Sequence, residues 1–178
     1  MKVQKIVCGY LEENCYVITN DNKDALIVDP GDEASKIMKY IKSNELVVRA
    51  ILITHYHFDH IGALEELKEE TGAKVIDYES KENPRVHGFN FEIIKTPGHT
   101  DDSVSFYFRE ENILFAGDFI FKESIGRYDF ENSSFTDMQK SIAWIREQDK
   151  ELKIYPGHGE STTLKYELKN NEFLNRTL

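Results

Sequence analysis

Five of the chain's six histidines fall in three short segments, and these segments constrain any fold the chain adopts. The first, Thr54-His55-Tyr56-His57-Phe58-Asp59-His60, packs three imidazoles and a carboxylate into six residues. His99 lies in Thr96-Pro97-Gly98-His99-Thr100, and His158 in Tyr155-Pro156-Gly157-His158-Gly159. Only His87 stands apart. Imidazole and carboxylate together suit zinc, iron or manganese. Counting Asp118, seven candidate ligands are too many for one tetrahedral zinc, so the pattern calls for two metal ions.

The strand-like runs show how the ligands are delivered. Cys15 to Thr19 and Ala25 to Val28 are short apolar runs separated by the turn-rich Asn20 to Asp24. A helix is expected from Ala34 to Ser43, with Ile37, Met38 and Ile41 on one face. Arg49 to Ile53 reads as a buried strand ending at Thr54 and His55. Ile61 to Thr71 reads as one helix stopped by Gly72. Further strands are expected at Lys74 to Tyr78, Phe89 to Lys95, Ser103 to Phe108, Ile113 to Ala116 and Leu152 to Tyr155. Helices are expected at Asp137 to Glu147 and Thr163 to Phe173. The mixture predicts an α/β layered domain spanning 1–178, with sheet packed on sheet and helices outside. His55, His99, Asp118 and His158 each follow an apolar run, where a rigid scaffold usually holds catalytic groups.

Within the first segment, an extended backbone would send His55, His57 and Asp59 to one side. His60 would face the other side or, at a helix start, turn toward a second metal. In the two Pro-Gly-His turns, Gly permits close backbone approach and Pro stiffens the entry. Asp118, ending Leu114-Phe115-Ala116-Gly117, is placed to bridge two cations. Asp29, in Ile27-Val28-Asp29-Pro30-Gly31, either orients a ligand histidine or forms a turn. Arg127, a few residues beyond Asp118, offers a bidentate clamp for a carboxylate, and Tyr128 beside it is a second candidate for substrate contact. The aromatic series Phe119, Phe121, Tyr128 and Phe130 reads as packing.

A net charge of −10 argues against a phosphate backbone as the main partner. No apolar run reaches the length of a membrane span. The start, Met1-Lys2-Val3-Gln4-Lys5-Ile6, lacks a signal-peptide pattern, so a cytoplasmic location is expected. Cys8 and Cys15 are expected to be buried free thiols.

Together these residues resemble the metallo-β-lactamase-fold hydrolase superfamily, on Asn14-Cys15-Tyr16, Ile27 to Gly31, Thr54 to His60, Thr96 to Thr100, Phe115 to Asp118 and Tyr155 to Gly159. The resemblance implies an αββα sandwich with metals at one edge. It implies that His55, His57 and His99 hold one ion, that Asp59, His60 and His158 hold the other, and that Asp118 bridges them. Zinc is the expected metal, with iron or manganese as alternatives. Within the superfamily the chain looks most like the glyoxalase II group, the hydroxyacylglutathione hydrolases, through Gly126-Arg127. It departs from that group in three ways. A C-terminal helical domain is not expected, Asp129 stands where an aromatic often contacts the thiol, and Asp102 replaces a glycine common after Pro-Gly-His-Thr. β-Lactamases of the fold, many with Cys at the Asp118 position, are a poorer match. The activity implied is hydrolysis of a small-molecule thioester, with the attacking hydroxide shared by the ions and held by Asp59 and Asp118. The alternatives are a lactonase or other ester hydrolase, a mononuclear iron persulfide dioxygenase using His55, His99 and Asp118, and a non-catalytic metal-binding or redox module.

Overall fold

Two five-stranded sheets face each other in the computed structural model, which describes residues 1–80 and 84–175. The first sheet runs β1 (Lys2–Cys8), β2 (Glu13–Thr19), β3 (Asp24–Val28), β4 (Val47–Leu52), β5 (Lys74–Ile76) in spatial order. Its first three strands are antiparallel and its last three parallel. Parallel neighbours need long crossovers. These are α1 (Ala34–Ser43) before β4, and α2 (Phe58–Ile61) with α3 (Leu64–Thr71) before β5. A small hairpin, β6 (Arg85–Val86) and β7 (Phe89–Asn90), leads to the second sheet. That sheet contains β8 (Glu92–Lys95), β9 (Val104–Phe108) and β10 (Ile113–Gly117). After a second hairpin, β11 (Ile120–Phe121) and β12 (Ser124–Ile125), helix α4 (Phe135–Arg146) carries the chain back to β13 (Lys153–Pro156), parallel to β10. Strand β14 (Thr162–Thr163) forms the edge, and α5 (Leu164–Asn170) and α6 (Glu172–Asn175) follow.

Period-two alternation separates the layers. From β2, Tyr16 and Ile18 point between the sheets, where they meet Phe91, Phe106, Phe108 and Phe115. Cys15 and Val17 point the other way, against Ile37, Met38 and Ile41 of α1 and Leu64 and Leu67 of α3. On the far side, Leu114 and Ile154 pack on Met138, Ile142 and Ile145 of α4. The order of layers is therefore helix, sheet, sheet, helix, as the resemblance implied. Cys8 and Cys15 are free and buried, as expected.

Three local departures have clear causes. The helix expected over Ile61 to Thr71 is two helices, because the chain turns at Gly62 and Ala63, where Ala63 N–H donates to the Pro30 carbonyl at 2.9 Å. Helix α4 starts at Phe135 rather than Asp137, because the Ser134 hydroxyl accepts from Asp137 N–H at 3.2 Å and caps it. Asp102, standing where a glycine is common, needs no left-handed backbone; its carboxylate accepts from the Thr100 hydroxyl at 2.5 Å. Among the described residues, no helix is long and apolar enough to cross a membrane.

The sheets are joined at one edge by polar seams. Val104 N–H donates to the Thr54 carbonyl (2.8 Å), and Asn14 N–H to the Gly157 carbonyl (2.7 Å). Tyr16 of the first sheet donates its hydroxyl to the Pro156 carbonyl at 2.6 Å. The Asn14 side chain donates to the Pro156 and Gly159 carbonyls at 3.1 and 3.0 Å. The Asn14-Cys15-Tyr16 segment thus grips the loop that carries His158. The ligand segments meet at this edge.

Candidate metal centre

The structure brings all seven candidate ligands together. His55 follows β4, His99 follows β8, Asp118 follows β10 and His158 follows β13. His57 Nδ1 lies 3.1 Å from His55 Nε2 and 3.0 Å from His99 Nε2. A second set joins Asp59 Oδ2 to His158 Nε2 at 3.3 Å and to His60 Nε2 at 3.9 Å. Asp118 spans the two. Its Oδ1 is 3.4 Å from His60 Nε2, and its Oδ2 is 3.6 and 3.7 Å from His99 Nε2 and His158 Nε2.

Period-two alternation misplaces Asp59. Helix α2 begins at Phe58, so the extended pattern ends at His57. Asp59 consequently faces His60 and His158 rather than His55 and His57.

The outer nitrogens of four of the five histidines show which atom points inward. His99 Nδ1 meets the Arg127 carbonyl at 2.8 Å, and His158 Nδ1 meets the Leu11 carbonyl at 3.1 Å. A carbonyl can only accept, so both Nδ1 atoms carry the proton and both Nε2 atoms offer lone pairs. His60 Nδ1 donates to Asp29 Oδ2 at 3.0 Å. Thr54 donates its hydroxyl to the same Asp29 oxygen at 2.6 Å and can then accept from His55 Nδ1 at 3.1 Å. Four Nε2 lone pairs, His57 Nδ1 and two carboxylates therefore converge on one small space. Such donors repel one another unless positive charge sits between them. His60 Nε2 and Asp118 Oδ1 are buried and have no hydrogen-bond partner; their 3.4 Å separation is an electrostatic contact without hydrogen-bond alignment. This donor set fits a pair of divalent cations, and the outer partners are those that fix metal-bound imidazoles.

The charges agree with this reading. Burial holds His55 well below its ordinary range, so it stays a neutral ligand. His57 is lowered for the same reason and by its neighbour His99. At His60, burial opposes protonation, but contacts with Asp118 and Asp29 outweigh it and pull the pKa well up. At Asp118 burial again favours the neutral form, yet the His60 contact and the charges of His60, His55 and His158 hold it below the usual carboxylate range. The space between His60 and Asp118 thus attracts a positive charge, either a proton or a metal ion.

Asp29 is buried and accepts from Thr54 N–H (2.7 Å), the Thr54 hydroxyl and His60 Nδ1. It holds His60 directly and His55 through Thr54, as a residue orienting two candidate ligands would, and its own backbone makes the turn at positive φ. Gly157 allows the close approach of the His158 loop, because an added Cβ would overlap Asp118 Oδ1 and crowd His60 Cε1. At Gly126 a Cβ would overlap the Asp118 carbonyl.

Glu13 escaped the sequence reading. It is fully buried behind His60, with Oε1 4.0 Å from His60 Nδ1. Burial pushes its carboxyl up to about 11, with His60 opposing in part, so it is neutral at pH 7. Its position between Glu12 and Asn14 reads as a polar turn; only its pairing opposite Cys8 in β2 reveals its burial.

A cavity of about 440 Å³ opens over the ligands. Its apolar wall comes from Leu11, Phe58, Phe121, Ile125 and Phe130. Phe121 and Phe130 thus line the cavity, contrary to their reading as packing. Phe119, at 1% exposure, does pack in the core. Arg127 lines the mouth, but its guanidinium is paired with Asp129, Nε to Oδ1 at 2.9 Å and Nη2 to Oδ2 at 3.1 Å. Tyr128 is not part of the cavity wall; its ring packs on Phe135, 4.7 Å between centroids.

A four-layer αββα protein with paired ligand sets at one sheet edge defines a metallo-hydrolase architecture. The chain belongs to the Metallo-beta-lactamase superfamily, whose sequence profile matches residues 9–85 and 82–158. It is similar to the hydroxyacylglutathione hydrolase GloC of Haemophilus influenzae, 30% identical over 98% of this chain and 99% of that one. Among solved structures, BLEG-1, described as a B3 metallo-beta-lactamase, superposes with a TM-score of 0.95 at 30% identity, covering 98% of this chain and all of that one. TTHA1623, crystallised in a di-iron-bound form, superposes with a TM-score of 0.88 at 30% identity, covering 96% of this chain and all of that one. These relatives and the ligand cluster support a metal-dependent hydrolase. The likeness to BLEG-1 corrects the expectation that β-lactamases of this fold match poorly.

Proposed function

We propose that the chain is a dinuclear metal-dependent thioesterase, cleaving S-acyl thiol esters such as 2-hydroxyacyl thioesters in the manner of glyoxalase II. His55, His57 and His99 would hold one ion, Asp59, His60 and His158 the other, and Asp118 both. The observation that carries this reading is the convergence of the inward-facing ring nitrogens and two carboxylates, two of whose atoms lack any other partner. Two bound divalent cations would supply an acidified water and polarise the substrate carbonyl.

The chain's own groups would do the rest. Asp59 and Asp118 accept hydrogen bonds only, and would orient the attacking water by its hydrogens. The outer partners of the imidazoles keep the ligand geometry fixed through turnover. The apolar wall seats the acyl and carrier portions and limits bulk water. Among the described residues lining the cavity, Arg127 is the one titratable side chain outside the ligand sets, and a guanidinium is no dedicated acid for a leaving group. A thiol, with a pKa near 8.5, leaves as its anion without one. An amine does not, which favours thioesters over amides. Arg127 stands at the mouth, beside the space the carrier would fill.

The nearest competing reading is hydrolysis of lactones or other esters at the same centre. A panel of thioesters, lactones and a β-lactam on zinc-, iron- and manganese-loaded protein tests the proposal. Thioester hydrolysis with kcat/KM above that for every other class is expected. Preference for a lactone or β-lactam would replace the proposal. Oxygen uptake on a persulfide with one iron per chain would overturn it.

A further inference from the structure

Resting on the thioesterase reading, we infer that Asp129 masks Arg127, so that the substrate is a thioester whose thiol carrier bears no carboxylate. The guanidinium is already in a two-point grip, with Nε and Nη2 held by the two oxygens of Asp129. That is the geometry a substrate carboxylate would need. Phe130 covers one face of the same guanidinium, with Cζ 4.4 Å from its ring centroid. Among the described residues lining the cavity, Arg127 is the sole Lys or Arg, and the remaining formal charges are Asp59 and Asp118. An anionic carrier would therefore meet an already neutralised cation and would place its own charge beside Asp129. Lys122, next to Phe121 of the cavity wall, is likewise paired, with Glu160.

The rest of the wall favours an uncharged body. Leu11, Phe58, Phe121, Ile125 and Phe130 surround the ligands. Leu11 and Phe58 are also markedly exposed, at 42% and 64%, so burying a carrier against them removes apolar surface from water. The Arg127–Asp129 pair is solvent-exposed on both sides, at 67% and 63%. Such a pair is weak enough to yield when one partner is changed, so the mask is removable. Asp129 is a specificity-determining residue on this account and takes no part in the chemistry.

The test uses Asp129→Asn, Arg127→Ala and the double variant, with Glu131→Gln as a control that removes an adjacent exposed negative charge. Two thioesters share one acyl group, one on glutathione and one on the neutral thiol N-acetylcysteamine. The zinc-loaded wild type should favour the neutral carrier. Asp129→Asn should raise the glutathione-to-neutral ratio of kcat/KM by about five-fold, the scale of freeing one exposed charged hydrogen-bond pair. Arg127→Ala in the Asp129→Asn background should erase that gain. Calorimetry with S-methylglutathione, whose sulfur is blocked, should show a matching tightening in Asp129→Asn. An unmoved ratio, an equal rise in Glu131→Gln, or a gain that survives loss of Arg127 would overturn the inference. If neither thioester is hydrolysed, the thioesterase reading falls, while the S-methylglutathione titration still decides whether Asp129 masks Arg127; equal affinity in wild type and Asp129→Asn would show that it does not.

Discussion

The floor and the mouth of the cavity are built on opposite principles. On the floor, four of the seven candidate ligands are held from behind: His60 by Asp29, His55 by Asp29 through Thr54, His99 by the Arg127 carbonyl and His158 by the Leu11 carbonyl. Asp59 is fixed by the α2 backbone instead. At the mouth, Arg127 and Asp129 hold each other and Phe130 lies across them, all exposed to solvent. Buried charges need partners with good geometry and are costly to disturb. Exposed pairs contribute about 0–1 kcal/mol and rearrange easily. The difference teaches that the floor is built to stay fixed and the mouth to be adjustable; on the proposed reading the first governs the reaction and the second what is admitted.

Substitutions should respect that contrast in graded fashion. His57→Ala and Asp118→Ala strike the floor, and each should lower hydrolysis by at least about 10³-fold, the scale of losing one group of a preorganised site. Retained turnover in either would break the contrast. Gly157→Ala should come next. Its Cβ would overlap Asp118 Oδ1 and press on His60, so metal analysis should show loss of one ion and a fall in rate of about 100-fold. Asp29→Ala leaves all seven ligands in place. It should weaken metal binding by about 10- to 100-fold in a chelator competition. It also leaves buried Thr54 N–H without its acceptor and should cost about 1–3 kcal/mol in urea unfolding. Tyr16→Phe removes a 2.6 Å bond to the Pro156 carbonyl, which Asn14 also serves, so a stability loss of about 1 kcal/mol is expected. Smallest should be Arg127→Ala on stability, within about 0.5 kcal/mol, because its side chain is exposed.

Much of the floor was legible in the sequence, because metal ligands belong to few residue types and the Pro-Gly-His turns mark where strands end. The apolar faces of Ile37, Met38 and Ile41, and of Met138, Ile142 and Ile145, placed α1 and α4 correctly. Three features lay beyond that reading for physical reasons. The early start of α2 moved Asp59 to the second set, since a backbone turn overrides side-chain alternation. Backbone carbonyls of Leu11 and Arg127 orient His158 and His99, and a carbonyl carries no residue signature. The Arg127–Asp129 pairing depends on the local backbone path over two residues, which charge pattern alone does not define. Strand β1 also passed unread, because its half-exposed alternation of Lys, Gln and Val lacks a continuous apolar run.

The central claim is that one edge of the sandwich holds two ions in two ligand sets joined by Asp118. Metal quantification on protein loaded with excess zinc and then desalted tests it most directly. The account predicts two ions per chain in the wild type and one in Gly157→Ala. A single ion per chain in both would contradict it.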